Sequence, residues 1–281
     1  MKKYYLQLIS LMAALLFLSC PFSNDIRLII RGDDMGFCHE ANVGCITSYQ
    51  EGIMTVVEVM VPCPAFKEAA KMLRENPGLD VGIHLTMTSE WSNLKWGSLT
   101  HAPSLVDSSG HFFQEVWTYG ELETSQVFSE ADWKLEEVER ELRAQIDTAL
   151  AYIPHCSHLS SHMAFHQASP LIMHLILNLA KEYKLTSNLS WWPIKEIDLF
   201  GDNWTAEEKI EHAVGVLENL EPGRYIFVEH PGIDTPAMRA IDDYMGVDTA
   251  ISRDAVTKAF TSEKINEVIK KRGIKLVRYG E

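Results

Sequence analysis

Three short and almost uninterrupted apolar runs, Ile26–Ile30, Thr55–Val61 and Leu79–Leu85, are separated by stretches in which apolar residues recur at helical spacing. A strand that reads apolar along its whole length is covered on both faces, which is the condition of a parallel sheet crossed by helices. The spacing predicts helices over Glu40–Glu51, with Ala41, Val43, Ile46 and Tyr49 turned inward, and over Ala65–Arg74. The alternation breaks at residues 87–122, an irregular stretch of a length that usually carries function. It resumes with a charged helix over Ala131–Tyr152, a strand ending near His158–Ser160, a helix over Pro170–Tyr183 and a strand around Thr186–Ser190. Gly223–Glu229 reads as a further strand, Ala250–Phe260 and Glu263–Lys271 as helices, and Lys275–Tyr279 as a last strand. The simplest architecture is a single TIM-like α/β barrel with long βα loops, in which chemistry collects at the C-terminal ends of the strands.

The bulk properties narrow the partners. Lys and Arg number 25 against 39 Asp and Glu, a net charge of −14, and no basic run is present. Nucleic acid and anionic membrane surfaces reward basic patches and are excluded as expected partners. A neutral small molecule or oligosaccharide, or a substrate bound through a cation, fits better. Lys2 and Lys3 precede the apolar stretch Leu6–Leu18, which ends at Ser19-Cys20. A basic start, a short apolar core and a small residue at the break describe a secretory signal over residues 1–20 rather than a membrane span, leaving residues 21–281 as the barrel domain. Cys20 also resembles the lipidated cysteine of a bacterial lipobox, with Phe17 where Leu is usual; ordinary cleavage nearby is the alternative. The expected localisation is therefore exported, either periplasmic or tethered to a membrane through Cys20. Cys38, Cys45, Cys63 and Cys156 show no CxxC spacing and read as small core residues.

Four of the strand ends carry groups that bind metals or move protons. Asp33 and Asp34 follow the first strand in Arg31-Gly32-Asp33-Asp34-Met35-Gly36, and His84 ends the third in Gly82-Ile83-His84-Leu85. His158 and His162 lie near the end of the fourth, and His230 follows Tyr225–Glu229 and opens the turn His230-Pro231-Gly232. Each piece has a plainer explanation: a helix cap for the acid pair, a core histidine for His84, a turn for Pro-Gly. His158, His162 and His166 repeat every four residues, so on a helix the three imidazoles would share one face. Taken together, one Asp and two His make three protein ligands for a catalytic metal with positions left for water and substrate. The second Asp could take a proton from that water, and a histidine opposite could protonate a leaving group. No Gly-x-Ser-x-Gly elbow, P-loop or Gly-x-Gly-x-x-Gly motif is present.

At these residues the chain resembles the YdjC-like (ChbG/HpnK) carbohydrate deacetylases. Arg31–Phe37 is similar to their Asn-Ala-Asp-Asp-Phe-Gly opening, Gly82–Thr86 to their Gly-Leu-His-Leu, Ser157–His162 to their Thr-His-Leu-Asp-Ser-His and Glu229–Gly232 to their late His-Pro-Gly. The resemblance runs in order from Ile26 to the C-terminus. It implies a distorted (β/α) barrel and a divalent-metal hydrolase acting on acetylated amino sugars. By position it implies Asp34, His84 and His162 as metal ligands, Asp33 as general base and His230 as general acid. Three departures stand out: Ser160 where the family usually has Asp, Ala164 where a second His is common, and Arg31 where Asn is usual. Loss of an Asp that orients a ligand histidine would weaken metal binding.

Two His and one carboxylate accept Zn²⁺, Co²⁺, Ni²⁺ or Mn²⁺, and the resemblance adds Mg²⁺, with Mg²⁺ and Zn²⁺ favoured. Trp91, Trp96, Trp117, Trp191 and Trp192 fall on loops and are candidate platforms for sugar rings, packing of long loops being the alternative. The competing functional readings are a sugar-binding barrel without turnover and a metal-dependent amidase or esterase on another acyl substrate. A homodimer is compatible with the sequence.

Overall fold

A computed structural model describes residues 25–118, 124–187 and 194–281. The segment expected to be a secretory signal, Cys20 and the pair Trp191-Trp192 lie outside the described residues, as does part of the strand expected over Thr186–Ser190.

Among the described residues eight parallel strands form one curled sheet: β1 (Ile26–Met35), β2 (Val56–Val59), β3 (Asp80–Leu85), β4 (Cys156–Ser161), β5 (Thr186–Ser187), β6 (Lys195–Glu196), β7 (Gly223–Glu229) and β8 (Lys275–Leu276). The spatial order is β5-β4-β3-β2-β1-β7-β6, with β8 also on β1. The described strands thus make a curled, distorted barrel sheet, in which no pairing among the described residues joins β5 to β6. β1 is the hub. One edge pairs with β7 from Ile26 to Gly32; the other is shared, β8 taking Arg27 and Leu28 and β2 taking Arg31 to Met35.

Seven helices connect the strands among the described residues: α1 (His39–Gln50), α2 (Phe66–Glu75), α3 (Leu135–Tyr152), α4 (Pro170–Tyr183), α5 (Ala206–Glu218), α6 (Thr249–Phe260) and α7 (Glu263–Arg272). Their starts follow capping chemistry. Ser169 accepts from Leu171 N ahead of Pro170, and Thr205 and Glu208 close a capping box on α5. The sequence reading did not include α5, although that box is its signature. On α1 the buried stripe is Ala41, Gly44, Cys45 and Ser48, not Val43, Ile46 and Tyr49, which are half-buried. The reason is steric: a Cβ on Gly44 would lie 2.4 Å from Gly232 Cα, so the face that meets the His-Pro-Gly turn must be small.

The period-two alternation of strands divides the sheet into two environments. Outward residues Leu28, Ile30, Val57, Val59, Val81, Ile83 and Leu159 join one apolar core beneath the helices, all fully buried. Inward residues Arg31, Asp33, Glu58, His84, His158 and Ser160 form a polar interior, each of them hydrogen-bonded to another. No helix among the described residues is long and apolar enough to cross a membrane.

Candidate metal centre and active-site cleft

The site begins with an irregularity in β1. Between Gly32 and Met35 the chain advances three residues while β2 advances two, from Val57 to Val59, so one residue of β1 is extra. Such a bulge re-aims side chains that a regular strand would send to opposite faces. Asp34 takes a left-handed backbone, φ +65°, a conformation that stores about 1–2 kcal/mol in a residue other than glycine. The result is that both carboxylates reach one imidazole. His84 Nε2 lies 3.7 Å from Asp33 Oδ2 and 3.6 Å from Asp34 Oδ1.

Asp33 is held by Arg31 in a two-pronged ion pair, Nε to Oδ1 and Nη2 to Oδ2, each at 2.7 Å. That geometry fixes the carboxylate in orientation as well as place. Asp34 lies between two pairs of groups. Its Oδ2 accepts from Arg253 Nη2 at 2.8 Å and is 3.8 Å from His230 Nε2. Its Oδ1 faces His162 Nδ1 at 3.2 Å and His84 Nε2 at 3.6 Å, yet makes no hydrogen bond although fully buried. Arg253 is itself wedged between aromatic faces, its guanidinium carbon 4.7 Å from the Phe37 ring and 5.4 Å from Trp91.

His84 and His162 stand edge to face with centroids 5.2 Å apart. The polar partner of each lies on the side away from Asp34. Ser160 Oγ is 2.6 Å from His84 Nδ1, and Glu90 Oε2 is 3.1 Å from His162 Nε2. Burial pushes the His84 imidazole down to about 3, with neighbouring His162 adding to the effect. Burial acts on His162 in the same sense, but the Glu90 and Asp34 carboxylates outweigh it and hold that imidazole up to about 10. Burial would raise Asp34, yet His230, His162 and Arg253 keep it well below the usual carboxylate range. The pocket thus keeps positive charge between Asp34 and Glu90, where a cation fits. One ligand atom from each of Asp34, His84 and His162 lies within 4.8 Å of the others. Together with the unsatisfied Asp34 Oδ1, this donor set of one oxygen and two nitrogens suits a divalent metal.

Above this triad a cleft of about 260 Å³ is lined by Asp34, Glu90, Trp91, His162, His230 and Tyr244, among others. Asp33 and His84, both buried beside Asp34, are not part of its lining. His230 caps the end of β7 with 45% of its side chain exposed, its Nδ1 3.8 Å from Glu229 Oε2. Desolvation lowers this imidazole, but Asp34 and then Glu229 raise it above its ordinary value. The turn beyond it is clamped to α6, where Thr257 Oγ1 donates to Gly232 O at 2.6 Å.

The five residues singled out in the sequence, Asp33, Asp34, His84, His162 and His230, therefore meet at one end of the sheet. The helical face of three histidines does not exist. His158 is on β4, fully buried, with Nε2 2.7 Å from Glu58 Oε1 and its ring 4.2 Å from Tyr279. His162 opens a 3₁₀ segment that kinks at Met163 and Ala164, both with positive φ. His166 turns into the protein with an unpartnered Nδ1. Among the tryptophans, Trp96 is buried and Trp117 is half-buried against the core, which is packing. Trp91 lines the cleft while stacking on Phe37 at 4.6 Å. Sequence reasoning missed Glu58, Glu90 and Arg253. Glu58 had a signal, since a lone acid inside Val56-Val57-Glu58-Val59-Met60-Val61 is buried and must have partners. Arg253 had none, because its partner Asp34 is 219 positions away.

The sequence pattern of the YdjC-like protein family matches residues 27–271. The chain is 28% identical over 274 residues to a carbohydrate deacetylase of Brevibacillus brevis (strain 47), covering 91% of this chain and 99% of that one. It is 32% identical over 230 residues to a carbohydrate deacetylase of Listeria monocytogenes serotype 4b (strain CLIP80459), covering 78% and 87%. In fold it is similar to a crystallised protein of Enterococcus faecalis V583, with a TM-score of 0.72 at 24% identity over 91% of this chain and 98% of that one. Fold, matched length and shared identity agree, and the chain belongs to the YdjC-like family.

Proposed function

We propose that this protein is a divalent-metal-dependent carbohydrate deacetylase that hydrolyses the N-acetyl group of an amino sugar or oligosaccharide. The observation that carries the reading is the triad Asp34, His84 and His162, with an unsatisfied carboxylate oxygen at its centre and an open cleft above it. The similar Brevibacillus and Listeria proteins, both named carbohydrate deacetylase, supply the substrate class.

Asp34, His84 and His162 would hold the cation, which supplies Lewis acidity toward the amide carbonyl and lowers the pKa of water. Arg31 fixes the Asp33 carboxylate at the edge of the triad, where Oδ2 takes the proton from the attacking water. His230, partly exposed at the rim and drawn toward its charged form by Asp34 and Glu229, delivers a proton from Nε2 to the departing amine nitrogen. Arg253 holds Asp34 Oδ2, which leaves Oδ1 free to act as a ligand. The C–N bond breaks, the acetyl carbon gains the water oxygen, and acetate and a free amino sugar leave. The N-terminal sequence supports action outside the cytoplasm with Cys20 as a membrane tether.

The test is acetate release from N-acetylated chito-oligosaccharides by metal-stripped protein, before and after adding Zn²⁺, Mg²⁺, Co²⁺, Ni²⁺ or Mn²⁺. Release should depend on metal and fall by about 100-fold or more in Asp33→Asn. A protein that binds metal but releases no acetate would move the reading to another acyl substrate.

A further inference from the structure

Ser160 is neutral, yet it occupies the position behind a metal-facing histidine, where a carboxylate is the usual partner. Its hydroxyl has a single proton, and it sits between His84 Nδ1, 2.6 Å away, and a carboxylate oxygen of Glu58. Glu58 lies on β2, fully buried, and can only accept while ionised. Burial opposes its charge, but His158 and Arg31 outweigh burial and lower its pKa. Ser160 therefore donates to Glu58 and accepts from His84 Nδ1–H. This fixes one tautomer of His84, with the proton on Nδ1 and the lone pair of Nε2 turned toward Asp34.

The surrounding backbone is shaped for that carboxylate. Glu58 is in register with Gly82 on β3, and His84 is in register with Ser160 on β4. A Cβ on Gly82 would lie 2.1 Å from Glu58 Oε2 and 2.4 Å from His158 Nε2, so only glycine leaves room for the acid in the barrel interior. The other Glu58 oxygen is held by His158 Nε2 at 2.7 Å, with Arg31 Nε 3.9 Å away.

We infer that Glu58 is a positioning residue for the metal centre, acting through the Ser160 hydroxyl to orient His84, so that a serine on β4 and a carboxylate on β2, the two strands that flank the strand of His84, together do the work of a single carboxylate beside the ligand. The inference rests on the proposed metal reading and identifies which residues of this chain set the affinity of its site.

The experiment is a Co²⁺ titration followed by the visible absorption of the bound ion, using wild-type protein, Glu58→Gln, Ser160→Ala, Glu58→Gln/Ser160→Ala and Glu58→Gln/Ser160→Asp, with thermal melts of each metal-free form. Ser160→Ala should weaken Co²⁺ binding by about 10–100-fold and Glu58→Gln by about 10-fold. The Glu58→Gln/Ser160→Ala protein should bind no more weakly than Ser160→Ala, because the effect of Glu58 passes through the hydroxyl. Adding Ser160→Asp to the Glu58→Gln protein should restore affinity to within a few-fold of wild type. Should Glu58→Gln not fold, Ser160→Ala against Ser160→Thr decides, since Thr keeps the hydroxyl: Thr near wild type and Ala weak supports the inference, and equal affinities overturn it. Wild-type affinity in Glu58→Gln, or an undiminished loss from Glu58→Gln when Ser160 has already been replaced by Ala, also overturns it and leaves the metal reading standing. A wild-type protein that binds no Co²⁺, Zn²⁺ or Mg²⁺ overturns both.

Discussion

At the floor of the cleft, Asp33 is held by Arg31, His84 by Ser160, and Ser160 by Glu58, so that each group has a partner before any substrate arrives. At the rim, His230 is 45% exposed with its nearest acids 3.8 Å away, and Met245 stands 64% exposed on a backbone with φ +51°. The floor is built from strands, whose register fixes its atoms; the rim is built from the loops that follow β7 and precede α6. Preorganised polar groups in a buried site do their work without reorganising, whereas groups at an open edge can adapt to what binds. The contrast separates chemistry, which should depend on the floor, from substrate fit and proton delivery, which should depend on the rim.

The sharpest way to break that division is Asp34→Asn. It removes the charge at the centre of the triad and should weaken divalent-metal affinity by about 1,000-fold or more, about 4 kcal/mol, measured by metal titration. Affinity within tenfold of wild type would mean that the ion is held elsewhere. His230→Gln tests the rim from the other side. It should lower kcat by about 100-fold, about 3 kcal/mol, while metal affinity stays unchanged, since His230 is not in the triad. A parallel loss of metal would merge rim and floor into one unit. Gly82→Ala probes the packing of the floor without touching a ligand. The added methyl displaces Glu58 and His158 and should reduce unfolding free energy by about 2 kcal/mol in denaturant melts.

The smallest effect belongs to Glu115, buried beside the cleft, where Tyr244 donates to its carboxylate at 3.0 Å. Burial raises this carboxyl to about 7; Glu90 adds to the rise, while Tyr244, His162 and Lys95 oppose it. The folded protein therefore binds this proton more tightly than the unfolded chain. Its contribution is fully present below pH 4.5, falls as pH rises toward 7, and is constant above that. Damped by solvent at the neighbouring cleft, the change should be about 1 kcal/mol, and it should vanish in Glu115→Gln when stability is compared at pH 5 and pH 8.

How much of this was legible follows the same line between local and distant. Asp33, Asp34, His84 and His230 could be read because each sits where an apolar run ends, and the end of a parallel strand is a place that sequence can mark. His162 was found by its motif, while the helical period that joined it to His158 and His166 was false. Residues 156–161 are a strand, and the chain kinks at Met163, so a four-residue spacing there has no helix to act on. The supports were hidden for a different reason. Glu90 reaches His162 across 72 positions, Glu58 reaches Ser160 across 102, and Arg253 reaches Asp34 across 219, distances at which only the assembled fold decides who meets whom. Ser160 looked like a loss because the carboxylate behind it comes from another strand.

The extra residue at Asp33-Asp34 has an effect on how this chain could change. A version shorter by one residue here would pair β1 and β2 in an unbroken ladder, with no left-handed residue to hold. It would be the better sheet, and it would send one acid out to the helices and leave the triad without its oxygen. Any drift toward greater regularity at this point is therefore a drift away from activity, and a screen for thermal stability alone would select against the very irregularity on which the site depends.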